Sequence, residues 1–207
     1  MMNAPNQPDL PGLEAYALVQ GGYFDRGDAH DYGLNDQALY YHAGTGRFER
    51  VYPGVYRLRT APIAPRDDLL RAWVWTNYRG AISHETALAL FGLSDVMPGH
   101  VHLTVPPDFG RNVPNGVPYV LHRSAFEASE VTSYDGLHVT TPARSIVDAA
   151  AAGTAPDQIE RAVREALSRA LTTPHRLRHA AARPGYRQRR AVQPLIERGI
   201  EAAATLH

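Results

Sequence analysis

The sequence has no cysteine. That excludes disulfides, thiolate metal sites and a cysteine nucleophile. Lysine is also absent, so every one of the 21 basic side chains is an arginine, set against 21 acids for a formal net charge of zero. An even balance argues against a general nucleic-acid coat and directs attention to where charge is concentrated. No apolar run approaches the ~20 residues that cross a bilayer, so no membrane partner is expected. The opening MMNAPNQPDLPG has neither a basic nor an apolar leader region. Residues 1–12 therefore read as a flexible lead-in to a cytoplasmic chain rather than a secretory signal. Gly-rich phosphate loops and internal repeats are lacking too, which leaves nucleotide hydrolysis without support.

What is present is an uneven distribution of charge. Up to residue 36 the acids Asp9, Glu14, Asp25, Asp28, Asp31 and Asp36 face only Arg26. Arg47, Arg50, Arg57 and Arg59 then stand against Glu49. A second basic stretch, 161–190, holds Arg161, Arg164, Arg169, Arg176, Arg178, Arg183, Arg187, Arg189 and Arg190 against Glu165. It reads either as a solvated helical surface or as a second contact for nucleic acid or a protein.

Between Gly21 and Arg59 the spacing predicts helix, turn, helix and hairpin. Asp25 is placed to cap a helix over 26–32, and Gly33 to end it. Asn35 caps a second helix over 36–45, on which Leu39, His42 and Ala43 share the inner side with Leu34. His42 reads as a core-edge residue rather than a ligand. Phe48–Val51 and Val55–Leu58 form a ribbon turned at Tyr52-Pro53-Gly54. That order is a winged helix-turn-helix, which sets one helix in the major groove of double-stranded DNA. Gln37, Tyr40, Tyr41 and Gly44 lie on the outer face, with Gln37 suited to adenine and the tyrosines to phosphates or thymine methyls. Arg47, Arg50 and Arg57 are candidate phosphate clamps. Asp36 serves the helix start or accepts from a cytosine amino group.

Ala61-Pro62-Ile63-Ala64-Pro65 reads as a linker, so the expected domains are 13–60 and 66–207. Asp67 or Asp68 is expected to cap a helix over 69–78, and Ser83 a helix over 84–91 ended by Gly92. Strand-like runs follow at 100–105, 117–123, 131–134 and 137–140, the last two joined by Asp135-Gly136, a hairpin dipeptide. Helices are expected over 142–152, 156–171, 174–182 and 193–203. The predicted class is α+β: an N-terminal winged helix-turn-helix, then a mixed α/β C-terminal domain with a small sheet and flanking helices.

Several residues invite a chemical reading. Ser83-His84-Glu85 looks like a triad, but triad members converge from separate elements, so cap chemistry explains it better. His84 itself is expected to pack or hydrogen-bond between helix and sheet. His100 and His102 share a strand face with His122 and His138 near by; satisfied or exposed histidines are the preferred reading over a metal cluster. Pro107-Asp108 resembles the start of a metal-nuclease motif, yet the downstream Glu-x-basic pattern is missing. No catalytic residue, metal ligand or cofactor is therefore assigned.

Four segments in order, GYFDRGDAHDYGLNDQALYYHAGTGRFERVYPGVYRL, ISHETALALFGLSDVMPGHVHLTVP, LHR and DGLHVTTPARSIVDAA, resemble the AbiEi-type antitoxins of type IV toxin–antitoxin systems. The resemblance spans about residues 13 to 172. It implies a winged helix that binds operator DNA and represses its own operon, and a C-terminal domain that counteracts a nucleotidyltransferase-like toxin without needing to bind it. It places the recognition surface on Gln37, Tyr40, Tyr41 and Gly44, with Arg47, Arg50 and Arg57 at the helix end and wing. Relatives often carry basic residues where this chain has Tyr40 and Tyr41. The alternatives are a DNA-targeted, metal-dependent nuclease and a stand-alone regulator with no toxin partner.

Overall fold

The structure, a computed structural model, describes residues 7–187 and 191–205. The chain divides into two compact units, Met1–Arg79 and Gly80–His207.

In the first unit, α1 (Leu10–Val19) starts inside the expected lead-in, because the Asp9 carboxylate accepts the Gly12 amide at 2.9 Å and Pro lies in the first turn. Residues 1–6 of that lead-in lie outside the described residues. The chain turns at Gly21 and Gly22, both at positive φ. A Cβ on Gly22 would come within 2.3 Å of the Ala61 methyl, so glycine is required there. Strand β1 (Tyr23–Asp25) leads into α2 (Arg26–Asp31) and α3 (Asp36–Gly44). Asp25 and Asp28 form a reciprocal capping box on α2, and the Asn35 side chain caps α3 through the Ala38 amide at 2.9 Å. The wing strands are β2 (Phe48–Tyr52) and β3 (Val55–Leu58).

The expected two-stranded ribbon is a three-stranded antiparallel sheet, order β1-β3-β2. Three residues give too little alternation to announce β1 as a strand. Leu13, Ala17, Phe24, Leu34, Leu39, Phe48 and Leu58 close the core, with Phe24 edge-on to Phe48 at 5.0 Å.

The division between the two units falls after Arg79. Helix α4 (Asp67–Trp75) belongs with the winged helix, because its polar ends are tied to it. The Tyr23 hydroxyl donates to Asp67 at 2.8 Å, and the Tyr78 hydroxyl to Asp28 at 2.6 Å. Arg66, in a left-handed conformation, occupies the cap position, so Asp67 and Asp68 sit in the first turn instead of capping.

The second unit is a five-stranded sheet, order β6-β5-β4-β8-β7, with helices around it. Its strands are β4 (Ala81–Ile82), β5 (Val101–Val105), β6 (Tyr119–Arg123), β7 (Val131–Tyr134) and β8 (Leu137–Thr140). β5 and β6 run parallel, as do β4 and β8; β4–β5 and β7–β8 are antiparallel. Asp135 and Gly136 both take positive φ, which suits the tight β7–β8 turn. The helices are α5 (His84–Phe91), α6 (Pro142–Ala152), α7 (Pro156–Ser168), α8 (Pro174–Ala181), α9 (Pro184–Arg187) and α10 (Val192–Ala204). Helix α10 lies close along α7: a Cβ on Gly199 would stand 2.8 Å from Val163 Cβ.

Candidate functional site

Helix α3 presents two unlike faces. Leu39 is buried, and His42 and Ala43 are half-buried. His42 tilts against Phe48 at 5.4 Å, and burial with Arg47 near by holds its imidazole below the ordinary range. On the other face Gln37 and Gly44 are exposed, as are Tyr40 (80%) and Tyr41 (63%). Two large aromatic rings left in solvent side by side are unusual for a merely structural helix.

Asp36 is not a bare negative charge at the start of this helix. Arg26 and His30 of α2 both pair with it, His30 at 3.0 Å. The His30 hydrogen bond, with the Arg26 charge, holds its carboxyl below the usual range. The pair ties α2 to α3 and offsets the repulsion Asp36 would exert on a phosphate.

The three arginines brought forward from the sequence occupy three different settings. Arg50 is exposed on β2, with no ion-pair partner among the described residues. Arg47 follows α3 and pairs with Glu14 of α1 at 2.6 Å, while its side chain stays 44% exposed. Arg57 is turned inward. Its fork donates to the carbonyls of Ala61 and Pro62 at 2.8 and 2.9 Å, lies over the Tyr23 ring and is only 11% exposed. It fixes the chain leaving the wing and does not face outward, because those carbonyls have no strand partner and need a donor.

The second unit contains a cleft of about 820 Å³ lined by His84, Thr104, His122, Arg123, Arg144, Asp148, Arg183 and Tyr186, among others. Arg144 and Asp148 of this lining come from the TTPARSIVD stretch. Ser145 Oγ donates to the Thr140 and Thr141 carbonyls at 2.9 and 3.0 Å, joining the start of α6 to the end of β8. Arg144 is 2% exposed and is held by Asp148 at 2.8 Å, Glu130 at 3.1 Å and Ser124 at 3.2 Å. The Tyr186 hydroxyl bonds Asp148, and burial beside that carboxylate pushes the phenol up. Arg183 joins the same network through Glu130.

In the 161–190 stretch, three arginines, Arg161, Arg178 and Arg183, meet acids. Arg161 pairs with Asp95 and Glu165, Arg178 with Glu197, and Arg169 donates to the Phe91 and Gly92 carbonyls. Arg189 and Arg190 lie outside the described residues, as does the side chain of Arg187.

Ser83 and His84 depart from the cap reading. Ser83 holds the cap position of α5, but His84 takes φ 52°, and the Ser83 hydroxyl lies 2.9 Å from His84 Nδ1 instead of capping. Glu85 accepts from Thr154 at 2.7 Å, engaged away from any Ser-His pair. His84 stacks on His122 with centroids 3.4 Å apart, and His102 Nδ1 is 3.2 Å from His122 Nε2. One nitrogen from each of His84, His102 and His122 falls within 4.8 Å of the other two. Burial holds the His102 imidazole below its ordinary range, which favours the neutral ring. This grouping was missed from the sequence, where His102 was matched with His100. His100 lies outside the strand, whereas the parallel register sets His122 opposite Thr104, on the face His102 shares. Asp108 belongs to no comparable group of ligand atoms among the described residues.

A family model described as a transcriptional regulator, AbiEi antitoxin, matches residues 13–59. A second, described as the AbiEi antitoxin C-terminal domain, matches residues 80–198. Comparison with curated proteins found no match. Among solved structures, the RV2827C protein from Mycobacterium tuberculosis is similar at a TM-score of 0.57, with 16% identity over 95% of this chain and 80% of that one. At that identity the likeness is one of fold.

Proposed function

We propose that this chain, which belongs to the AbiEi antitoxin family, binds the operator of its own operon, represses it, and counteracts a nucleotidyltransferase-like toxin without catalysis and without needing to bind it. The observation that carries the DNA half is the outer face of α3, where Gln37, Tyr40, Tyr41 and Gly44 are all exposed beside the exposed Arg50 of the wing. In this reading α3 enters the major groove. Gln37 contacts adenine, the tyrosines reach thymine methyls or phosphates, and Arg47 and Arg50 hold the backbone. Arg57 supports the wing from within.

The test is a gel shift with the full chain on DNA from upstream of its own gene, across a salt series. Specific binding is expected, with Arg47→Ala/Arg50→Ala lowering the slope of log affinity against log salt by about 2. Absence of a shift at low salt sinks the DNA half. For the antitoxin half, co-expression with a neighbouring nucleotidyltransferase-like gene is expected to restore growth that the neighbour arrests. Arrest undiminished by the full chain refutes it.

A further inference from the structure

We propose that His84, His102 and His122 bind one divalent late transition ion, zinc in the first instance, with an open coordination position towards the cleft. The site lies in the second unit and does not depend on the DNA reading.

Three separate elements contribute. His84 opens α5, His102 lies on β5 and His122 on β6. Helix and strand are latched together beside them: the Thr86 hydroxyl donates to the His100 carbonyl at 3.2 Å and accepts the His102 amide at 2.9 Å. The 3.2 Å between His102 Nδ1 and His122 Nε2 is close to the roughly 3.3 Å that separates two nitrogens each ~2.0 Å from one tetrahedral zinc. The Ser83 hydroxyl lies 2.9 Å from His84 Nδ1, which orients the ring. His84 and His122 are stacked at 3.4 Å, and the ion is expected to open that stack.

Two further observations mark the place. His84 adopts φ 52° while buried, a sparsely populated backbone for a residue at a helix start. Thr104 is fully buried, lines the cleft with His84 and His122, and its hydroxyl has no hydrogen-bond partner among the described residues. Such an orphan is costly unless something occupies the space before it. Water or an anion on the ion's open position supplies that partner.

The donor set chooses the metal. Three imidazoles without a carboxylate suit zinc, copper, nickel or cobalt and not magnesium or calcium. Three protein ligands leave a fourth position for an exogenous ligand. Arg123 lines the same cleft and donates to the Phe109 and Arg111 carbonyls, not to an acid, so that ligand is expected to be anionic.

The experiment uses the full, tag-free chain after chelator treatment. Cobalt is titrated in and followed by its visible spectrum, and zinc affinity is measured against a chromophoric chelator. One equivalent with a tetrahedral cobalt spectrum is expected. His122→Ala is expected to lower zinc affinity roughly 100-fold or more, and His122→Gln on the same half-exposed position likewise. The helical pair His175→Ala/His179→Ala leaves it unchanged. Imidazole nitrogen NMR of the unaltered chain needs no variant: of its ten histidines, zinc is expected to shift only these three. No stoichiometric uptake, uptake unaffected by the His122 changes, or shifts at His175 and His179 instead would each overturn the proposal.

Discussion

In the first unit Arg50 stands exposed on the wing, while the exposed Arg26 and Arg47 hold carboxylates of neighbouring helices across the surface. In the second, Arg144, Arg161, Arg178 and Arg183 all meet acids from distant segments. Arg50 meets no acid among the described residues. A run of arginines in the sequence therefore does not by itself mark where a phosphate backbone would be welcomed; what counts is which charges the fold has already paired. The two units also bury polarity differently. The first does so in two small clusters, Asp28, which accepts from Tyr16, Tyr78 and the Asp25 amide at 2.8, 2.6 and 2.7 Å, and Asp67, which accepts from Tyr23 beside the inward-turned Arg57. The second does so along a chain of ions and hydroxyls from Ser124 to Tyr186.

That contrast breaks if the buried ions of the second unit prove dispensable. Arg144→Ala strands Glu130 and Asp148 inside the structure, and a loss of about 3–5 kcal/mol is expected in urea unfolding of the full chain. The counterpart in the first unit, Asp28→Ala, removes a charged acceptor from two tyrosines and one cap. About 2–3 kcal/mol is expected, read by the same measurement. The setting of α3 is sharpened by following His42 with NMR. Its folded-state titration is depressed by burial and by Arg47, so its contribution to stability is complete above ~6.5 and is lost as pH falls through the folded value. In Arg47→Ala that midpoint is expected to move up. The smallest effect belongs to Arg178→Ala. Its pair with Glu197 lies in solvent, so an unchanged urea midpoint and an unchanged gel shift are expected.

Much of this was legible in the sequence. The capping residues Asp25 and Asn35, the helix over 36–45, the wing turn and the Asp135-Gly136 hairpin carry local signals that the structure keeps. Strands β1 and β4 were not legible, because two or three buried residues have no period. Nor was the inward turn of Arg57, since its partners are carbonyls, which every residue has. The histidine cluster needed the β5–β6 register, a non-local fact. The signal to seek elsewhere is His-x-Thr on one strand with a lone His on the next.

Strand β4 has a consequence for how the chain is made. It is the first strand of its unit to be synthesised and ends up in the middle of the sheet, where its two residues join Leu103 and Thr104 on one side to Val139 on the other. A nascent chain that has emerged only through residue 130 therefore has one side of β4 still unpaired. The sheet can close only when β8 arrives, so folding of this unit is expected to be late and slow compared with the local helix-turn-helix ahead of it. On the ribosome, the module read here as the operator binder is then ready before the rest of the protein.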